Sequence, residues 1–320
     1  MMKFCLATLS FGFLMGAHAQ DWPAKQPIRY IVPFAPGGAT DMLGRMVAVG
    51  LSSRLGQSVV VDNKAGQGGS VGSAELAKAK PDGYTIGGGT ISSHALNVAL
   101  YPKLSYDPQK DFAPITLLAA LPNVLVVHPS LNVKSVAELV ALLKANPNKY
   151  SFGSAGNGTS QHISGEMFKL ATGTQIQHVP YRGSGPMMID LLAGTIQLSF
   201  ENSNTALPQA ASGKLRALAV TSAKRSKAAP ELLTMQEAGI AGYDLSSWQA
   251  FYAPAGTPPA IVNRLQTEVA EILKEPANAK KLADLGLEPG GGKPEELAAL
   301  MAAEIPRLGN VVRQSGAKVD

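Results

Sequence analysis

The chain has almost no cysteine. Of 320 residues only Cys5 is one, and it lies in an N-terminal stretch with the marks of a removable leader. Lys3 supplies a short positive start, Phe4 to Gly16 is an apolar run, and Ala17-His18-Ala19 places small residues where a signal peptidase cuts. Cleavage there makes Gln20 the first residue of the mature chain. That chain has no thiol, no disulfide and no cysteine metal ligand. Cys5 stands too early to become a lipid-modified N-terminus. Long apolar runs are missing as well. The leader's run is too short for a bilayer, and nothing later approaches the roughly 20 residues a membrane helix requires. The expectation is an exported, soluble protein without membrane insertion; a buried N-terminal strand or helix is the alternative reading of the same run.

Charge of one sign is also scarce. Without Lys3 there remain 27 basic against 23 acidic side chains, spread along the chain. Only Lys224-Arg225-Ser226-Lys227 forms a cluster, and it reads as a solvated loop rather than a nucleic-acid patch. Aromatic residues are 6%, whereas 33 glycines and 22 prolines accompany an apolar share of 45%. That share excludes disorder, so the glycine and proline fit many short turns between strands and helices. About 300 mature residues exceed what one core usually serves, which implies two domains.

The pattern alternates strand and helix. Ile28 to Val32 reads as a strand, the Pro36-Gly37-Gly38 stretch as a turn and Asp41 to Leu55 as an amphipathic helix. Strand Ser58 to Val61, a glycine-rich Ala65 to Gly69, helix Val71 to Ala79, strand Tyr84 to Ile86 and helix Ser93 to Ala99 follow. Short apolar strands between helices argue for a parallel sheet covered on both faces. Phe112 to His128 breaks the rhythm as two extended stretches, Pro114 to Ala119 and Val124 to His128, meeting at Leu121-Pro122-Asn123. Helix Ser135 to Ala145 opens with a capping box, Ser135 and Glu138. The βα rhythm then resumes through strands near 150–152, 175–179, 195–200 and 216–221, with helices 161–171 and 186–193 between them. Trp248 to Tyr252 and helices Pro259 to Lys274 and Pro294 to Ser315 return to the first unit. Two α/β units crossed more than once are the topology of a cleft protein with a hinge. We expect domain 1 at 20–119 plus 223–320 and domain 2 at 120–222, after a leader at 1–19.

Four glycine-rich loops each end a strand and open a helix: Phe34 to Asp41, Gly66 to Ser70, Ser154 to Thr159 and Tyr181 to Gly185. In open α/β sheets such strand ends line the ligand crevice. Helix N-termini there present unpaired N–H groups and partial positive charge, suited to an anion. Glycine lets those amides approach without an intervening side chain. Thr40, Ser70, Thr159 and Ser184 equally suit helix capping. The loops at 36–41 and 154–159, one in each unit, suggest two jaws on one anion.

Other chemistries fit less well. Gly66-Gln67-Gly68 lacks a third glycine at the dinucleotide spacing, and Pro294 follows Lys293 where a phosphate-binding loop needs Ser or Thr. Gly68-Gly69-Ser70-Val71-Gly72 satisfies the hydrolase G-x-S-x-G pattern, with His162 and His178 as later bases. The histidines at 94, 128, 162 and 178 form no metal-binding pair, so no metal or other cofactor is expected. His128, beside Pro129, reads as structural. His162, one turn behind Thr159, is placed either to touch an anion or to bond the neighbouring loop.

Six separated motifs resemble the Bug family, the TctC-type substrate-binding proteins of tripartite tricarboxylate transporters. They are Ile31 to Asp41, Pro81-Asp82-Gly83-Tyr84-Thr85, Phe152 to Thr159, His178 to Gly183, Leu215 to Thr221 and Ala253 to Pro258. The resemblance covers essentially the whole mature chain in order. It implies an α/β periplasmic binding protein, a Venus flytrap with two α/β domains joined by extended hinge strands and a ligand cleft between them. Carried over by residue, Phe34, Ala35, Gly37, Gly38, Thr40 and Asp41 belong to the first jaw, and Ser154, Ala155, Gly158 and Thr159 to the second. His162, Tyr181, Glu201 and Asn202 are further candidates. Ser92, with Ser93, His94 and Asn123, stands near the distal end by position. Glu201 departs from the aspartate common in similar proteins at that place, and either enters the cleft or caps the next segment. The implied role is periplasmic capture of a small organic carboxylate (a di- or tricarboxylate, an aromatic acid or an acidic amino acid). The protein is expected to be a monomer and not an enzyme, passing its ligand transiently to membrane transporter subunits. A hydrolase using Ser70, or a sensor presenting its ligand to a signalling partner, are the alternatives.

Overall fold

The computed structural model describes residues 22–318. The leader at 1–19, with Cys5 and the cut before Gln20, lies outside the described residues. The chain begins with β1 (Ile28–Val32), α1 (Ala39–Leu55), β2 (Val59–Asn63), α2 (Ser70–Ala77) and β3 (Thr85–Thr90). A π-helical turn, Ser92–Leu96, runs into the short α3 (Asn97–Leu100), and β4 (Phe112–Val127) follows. The middle of the chain is α4 (Val136–Ala145), β5 (Ser151–Ser154), α5 (Ser160–Thr172), β6 (Gln177–Pro180) and α6 (Ser184–Leu192). Next come β7 (Leu198–Asn202), α7 (Ser203–Ala211), β8 (Arg216–Val220), β9 (Ser246–Pro254), α8 (Pro259–Lys274), α9 (Pro276–Asp284), β10 (Glu288–Pro289) and α10 (Pro294–Ser315).

Local chemistry sets the helix ends. The helices α1 and α5 stop at Gly56 and Gly173, both in the left-handed conformation a C-terminal cap requires. Ser135 caps α4 by accepting from Glu138 N at 3.1 Å, while the Glu138 carboxylate reaches back to Lys134 N. Helix α8 begins with Pro259, whose missing N–H costs nothing in a first turn.

The sheet runs β2-β1-β3-β9-β4-β7-β5-β6, with β8 and β10 also paired to β4. The first half is parallel through β1, β2 and β3, and β9 joins it antiparallel. The second half is parallel through β5, β6 and β7. Strand β4 belongs to both: Phe112 to Pro122 pair with β9, and Asn123 to Val127 pair with β7 and β8.

Each half is covered on both faces, as the strand pattern predicts. Ile28, Tyr30 and Val32 alternate onto the face under α1 and α8, while Ile31 turns to the opposite face with Leu297 and Met301 of α10. In the second half Leu125 and Val127 join Phe152, Phe168 and Phe200, whereas Val124 and Val126 face Met187 and Leu191 of α6. Two lobes therefore have largely distinct cores, joined where Ile163 of α5 packs with the first lobe, and share one long strand.

The expected break at Leu121-Pro122-Asn123 is absent, because β4 is continuous through it. Prolines survive in the strand since Pro114 borders a register shift and Pro122 is the last residue paired to β9. The crossover is tied laterally: Thr221 N donates to Asn123 O at 2.9 Å, and the Thr221 hydroxyl donates to Leu245 O at 2.7 Å. Two helices escaped the sequence reading. Pro208 inside α7 masked its helical pattern. Helix α9 was missed although Pro276 stands at its start.

Candidate functional site

The strand ends of both lobes meet at a small cavity of about 20 Å³, room for about one water molecule. From the first lobe Phe34, Gly38, Ala39, Thr40, Thr90 and Ser92 line it. The second lobe contributes Ala155, Thr159, Ser160, Gln161, Ser184 and Asn202, and β9 adds Ser247 and Gln249. None of these side chains carries a formal charge.

Four helices begin at this cavity: α1, α5, α6 and α7. Only α5 has a side-chain cap, Thr159, which accepts from His162 N at 3.4 Å. Gly38, Gly183 and Asn202 stand at the starts of the other three without capping through a side chain. The capping alternative therefore holds for Thr159 but not for Thr40 or Ser184. Thr40 Oγ1 donates to Gln249 Oε1 at 2.7 Å, and Ser184 Oγ donates to Glu201 Oε1 at 2.8 Å. Uncapped first turns leave backbone N–H groups and the positive end of each helix dipole turned to the cavity.

The jaws touch. Ala35 N donates to Arg182 O at 3.1 Å, and Tyr101 OH donates to Asn157 O at 3.2 Å. A Cβ on Gly185 would stand 2.2 Å from Pro36 O, so only glycine admits this approach. Outside the cavity, a groove of about 480 Å³ runs between Phe34, Gly66 to Gly68 and Tyr101 on one side and Ala155 to Asn157, Tyr181 and Arg182 on the other.

Of the predicted site residues, Phe34, Gly38, Thr40, Ser92, Ala155, Thr159 and Asn202 line the cavity. The others stand behind or beside it. Ala35 bridges the jaws through its backbone, and Tyr181 lines the outer groove with its hydroxyl donating to Asp190 at 2.6 Å. Gly37 N donates to the Asp41 carboxylate, which also takes Arg45 and Asn63. Burial alone would raise the Asp41 pKa. The hydrogen bonds of Arg45, Asn63 and Gly37 outweigh it and hold that carboxyl below its usual range.

Neutral contacts brace the second jaw. Ser154 Oγ lies 2.6 Å from His178 Nε2, and the His162 and His178 rings stack at 4.1 Å. Gly158 N donates to His162 Nδ1 at 3.2 Å, so His162 bonds its neighbouring loop. Burial pushes the His162 pKa down to about 4 and that of His178 to about 3. Asn123 Oδ1 accepts from Asn202 at 2.6 Å, while Ser93 and His94 are buried against each other. Glu201 is fully buried behind Ser184, with Oε1 accepting from Ser184 and Thr205 and Oε2 without a partner. Burial raises its pKa.

Ala39, Thr90, Ser160, Gln161, Ser184, Ser247 and Gln249 also line the cavity and lie outside the site residues expected from sequence. Gln249 has a readable signal, a polar side chain inside the otherwise apolar run Trp248 to Tyr252. Ser160 and Gln161 simply extend the predicted loop into the first helical turn. Ser70 accepts from Asn97 Nδ2 at 2.8 Å and from Tyr106 at 3.4 Å, and no histidine bonds it among the described residues. The basic run at 224–227 borders a separate groove of about 930 Å³, where Arg225 pairs with Glu237.

Two lobes, a shared strand and helix starts converging on a cavity between them define a periplasmic binding protein. The family model for the tripartite tricarboxylate transporter family receptor matches residues 43–317, and the chain belongs to that family. It is 38% identical to the protein BugT of Bordetella pertussis over 309 residues, 96% of this chain and 94% of that one. An R. palustris protein solved with adipate is 41% identical, with a TM-score of 0.89 over 93% of this chain and all of the other. MatC of Rhodopseudomonas palustris, solved with bound malate, is 30% identical with a TM-score of 0.85 over 90% and 99%. This chain is a solute-binding receptor of that family, and the Venus-flytrap expectation holds. Among the described residues no helix is long and apolar enough to cross a membrane.

Proposed function

We propose that the protein is exported to the periplasm after cleavage before Gln20. There it closes its lobes on a small organic dicarboxylate and passes it, as a monomer, to the membrane subunits of a tripartite tricarboxylate-type transporter. The observation that carries this reading is the convergence of four helix N-termini, three without a side-chain cap, on a cavity lined by no charged side chain. Backbone N–H groups of the first helical turns with the Ser92 and Ser160 hydroxyls would supply the carboxylate's hydrogen bonds, and no cation is required. Adipate and malate in two related structures favour a dicarboxylate over an aromatic acid or an acidic amino acid.

The lobes divide in this reading near residues 119/120 and at the entry to β9 rather than at 222/223, because Met235 and Tyr243 pack with the second lobe's core; β4 and that entry serve as the hinge. Opening breaks the few contacts between jaws, and the ligand favours closure by touching both. Binding occurs without catalysis. Isothermal titration against dicarboxylates, tricarboxylates, aromatic acids and acidic amino acids tests the reading. Heat from dicarboxylates supports it; silence of folded protein across the panel refutes it. N-terminal sequencing of the exported chain checks the leader, and loss of uptake in a deletion strain separates a transport role from a purely sensory one.

A further inference from the structure

We propose that Glu201 and Ser184 set the polarity of the second jaw, so that a ligand carboxylate enters with uptake of one proton by Glu201. This rests on the carboxylate-binding reading above and adds a proton to it.

Glu201, next to last in β7, has no exposed surface, and among the described residues no cation pairs with it. The neighbouring elements offer little compensation. On α5, Lys169 is committed to Glu166 at 2.8 Å, and His162 is stacked on His178 of β6. On α6, Asp190 holds Tyr181, and Arg182 in the loop before that helix is exposed. Helix α7 and strand β4 carry no ionisable side chain, and β9 carries only the buried Tyr252. Lys280 and Asp284 of α9 pair with each other, and across the cavity Asp41 is held by Arg45. An ionised Glu201 is thus a buried charge without a counter-ion, beside a cavity built for an anion. Burial pushes its pKa up.

The hydrogen bonds allow two consistent arrangements. In the ionised one, the Ser184 and Thr205 hydroxyls both donate to Oε1, at 2.8 and 2.7 Å. Ser184 then turns only lone pairs to the cavity and repels a carboxylate. In the protonated one, Oε1–H donates to Ser184 Oγ, and Thr205 redirects its proton to Asn202 O, 3.1 Å away. Ser184 Oγ still accepts weakly from Gln161 Nε2 at 3.5 Å, and its own hydrogen is free to point at the ligand. The unpartnered Oε2 becomes a neutral carbonyl oxygen, which burial penalises far less than an ionised one. One proton moves from solvent to Glu201, the Ser184 and Thr205 hydroxyls turn, and no other covalent bond changes.

Adipate is the probe, titrated at about pH 7, 8 and 9, where its carboxylates are fully ionised. Each titration is run in buffers of different ionisation enthalpy. The expected heat varies with buffer in proportion to proton uptake approaching one as pH rises, while affinity falls by up to about tenfold per pH unit. In Glu201→Gln, whose amide donates permanently, both dependences vanish. A ligand-free readout accompanies them. Because the folded pKa is raised, wild-type stability is fully present below the ordinary carboxylate range and is lost as pH rises from there through the folded pKa, so the melting temperature of Glu201→Gln gains on wild type as pH rises above that range. Adipate binding without buffer-dependent heat at any pH overturns the inference, as does equal proton uptake in the variant. The wild-type titration is decisive even if the variant fails to fold. Absence of binding by every dicarboxylate at every pH instead overturns the carboxylate reading, and this inference falls with it.

Discussion

In the first lobe the loop before α1 is braced by charge: Asp41 gathers Gly37 N, Arg45 and Asn63. In the second lobe the corresponding loop before α5 is braced by neutral groups. Ser154 bonds His178, Gly158 N bonds His162, and Thr159 caps the helix. Both arrangements hold a glycine-rich loop still while keeping charged side chains out of the cavity. The brace, rather than a charge in the site, is what each lobe builds with its ionisable residues. The difference between braces predicts unequal responses to substitution and to acid.

The largest expected effect comes from Gly158→Asp. Gly158 has φ +81°, and a Cβ there would meet Asn97 Oδ1 of the other lobe at 2.2 Å. Strain, obstruction and a negative charge beside an anion site combine. Carboxylate affinity should fall by at least about 100-fold, roughly 2.7 kcal/mol, in isothermal titration. Retained circular dichroism would separate this loss from unfolding. Normal binding would remove the second jaw from the site.

Gly185→Ala sharpens the comparison from the closure side. Its methyl would stand 2.2 Å from Pro36 O across the cleft, with no added charge. The closed form becomes less populated, and apparent affinity should drop about tenfold in proportion to that population. Small-angle scattering should show a more open protein at subsaturating ligand.

Acid should distinguish the braces. The folded pKa values of His162 and His178 lie near 4 and 3, below the ordinary value of 6.5. The unfolded chain therefore binds more protons, and stability is complete above about pH 6.5 and declines below it. The limiting slope is about 1.4 kcal/mol per pH unit for each histidine. Asp41 has a depressed carboxyl pKa, so its contribution persists until the pH falls below the ordinary carboxylate range. Hydrogen exchange at about pH 5 should thus show the second lobe's loop loosening before the first. The order would reverse if Asp41 were the weaker brace.

The smallest effect is expected at Ser70. Ser70→Ala removes one of the acceptors of Asn97 Nδ2, which keeps Gly68 O and Gln67 O, and should cost about 1 kcal/mol of stability or less in thermal melts. Dicarboxylate affinity should stay within about twofold, since Ser70 does not line the cavity. A large loss of affinity, or loss of an esterase activity, would revive the hydrolase reading.

Legibility from sequence followed the range of the interactions. The alternation of short apolar strands with helices, the Ser135 cap and the glycine loops are local, set by residues a few positions apart, and each could be read directly. Strand β4 was misread as two pieces because Pro114 and Pro122 look like breaks until their pairing is known. Helix α7 was hidden by Pro208.

The site divided the same way. Periodicity and loop chemistry by themselves determined the α/β class and the two jaws, while most of the seven expected residues that line the cavity came residue by residue from the family resemblance. Only the tertiary structure could decide which loop residues face that cavity and which brace from behind, because the choice depends on partners far along the chain. Thr40 finds Gln249, Ser184 finds Glu201, and Asn202 finds Asn123. Burial likewise exists only once the lobes pack. It turns two ordinary histidines into neutral supports and leaves Glu201 a carboxyl without a counter-ion.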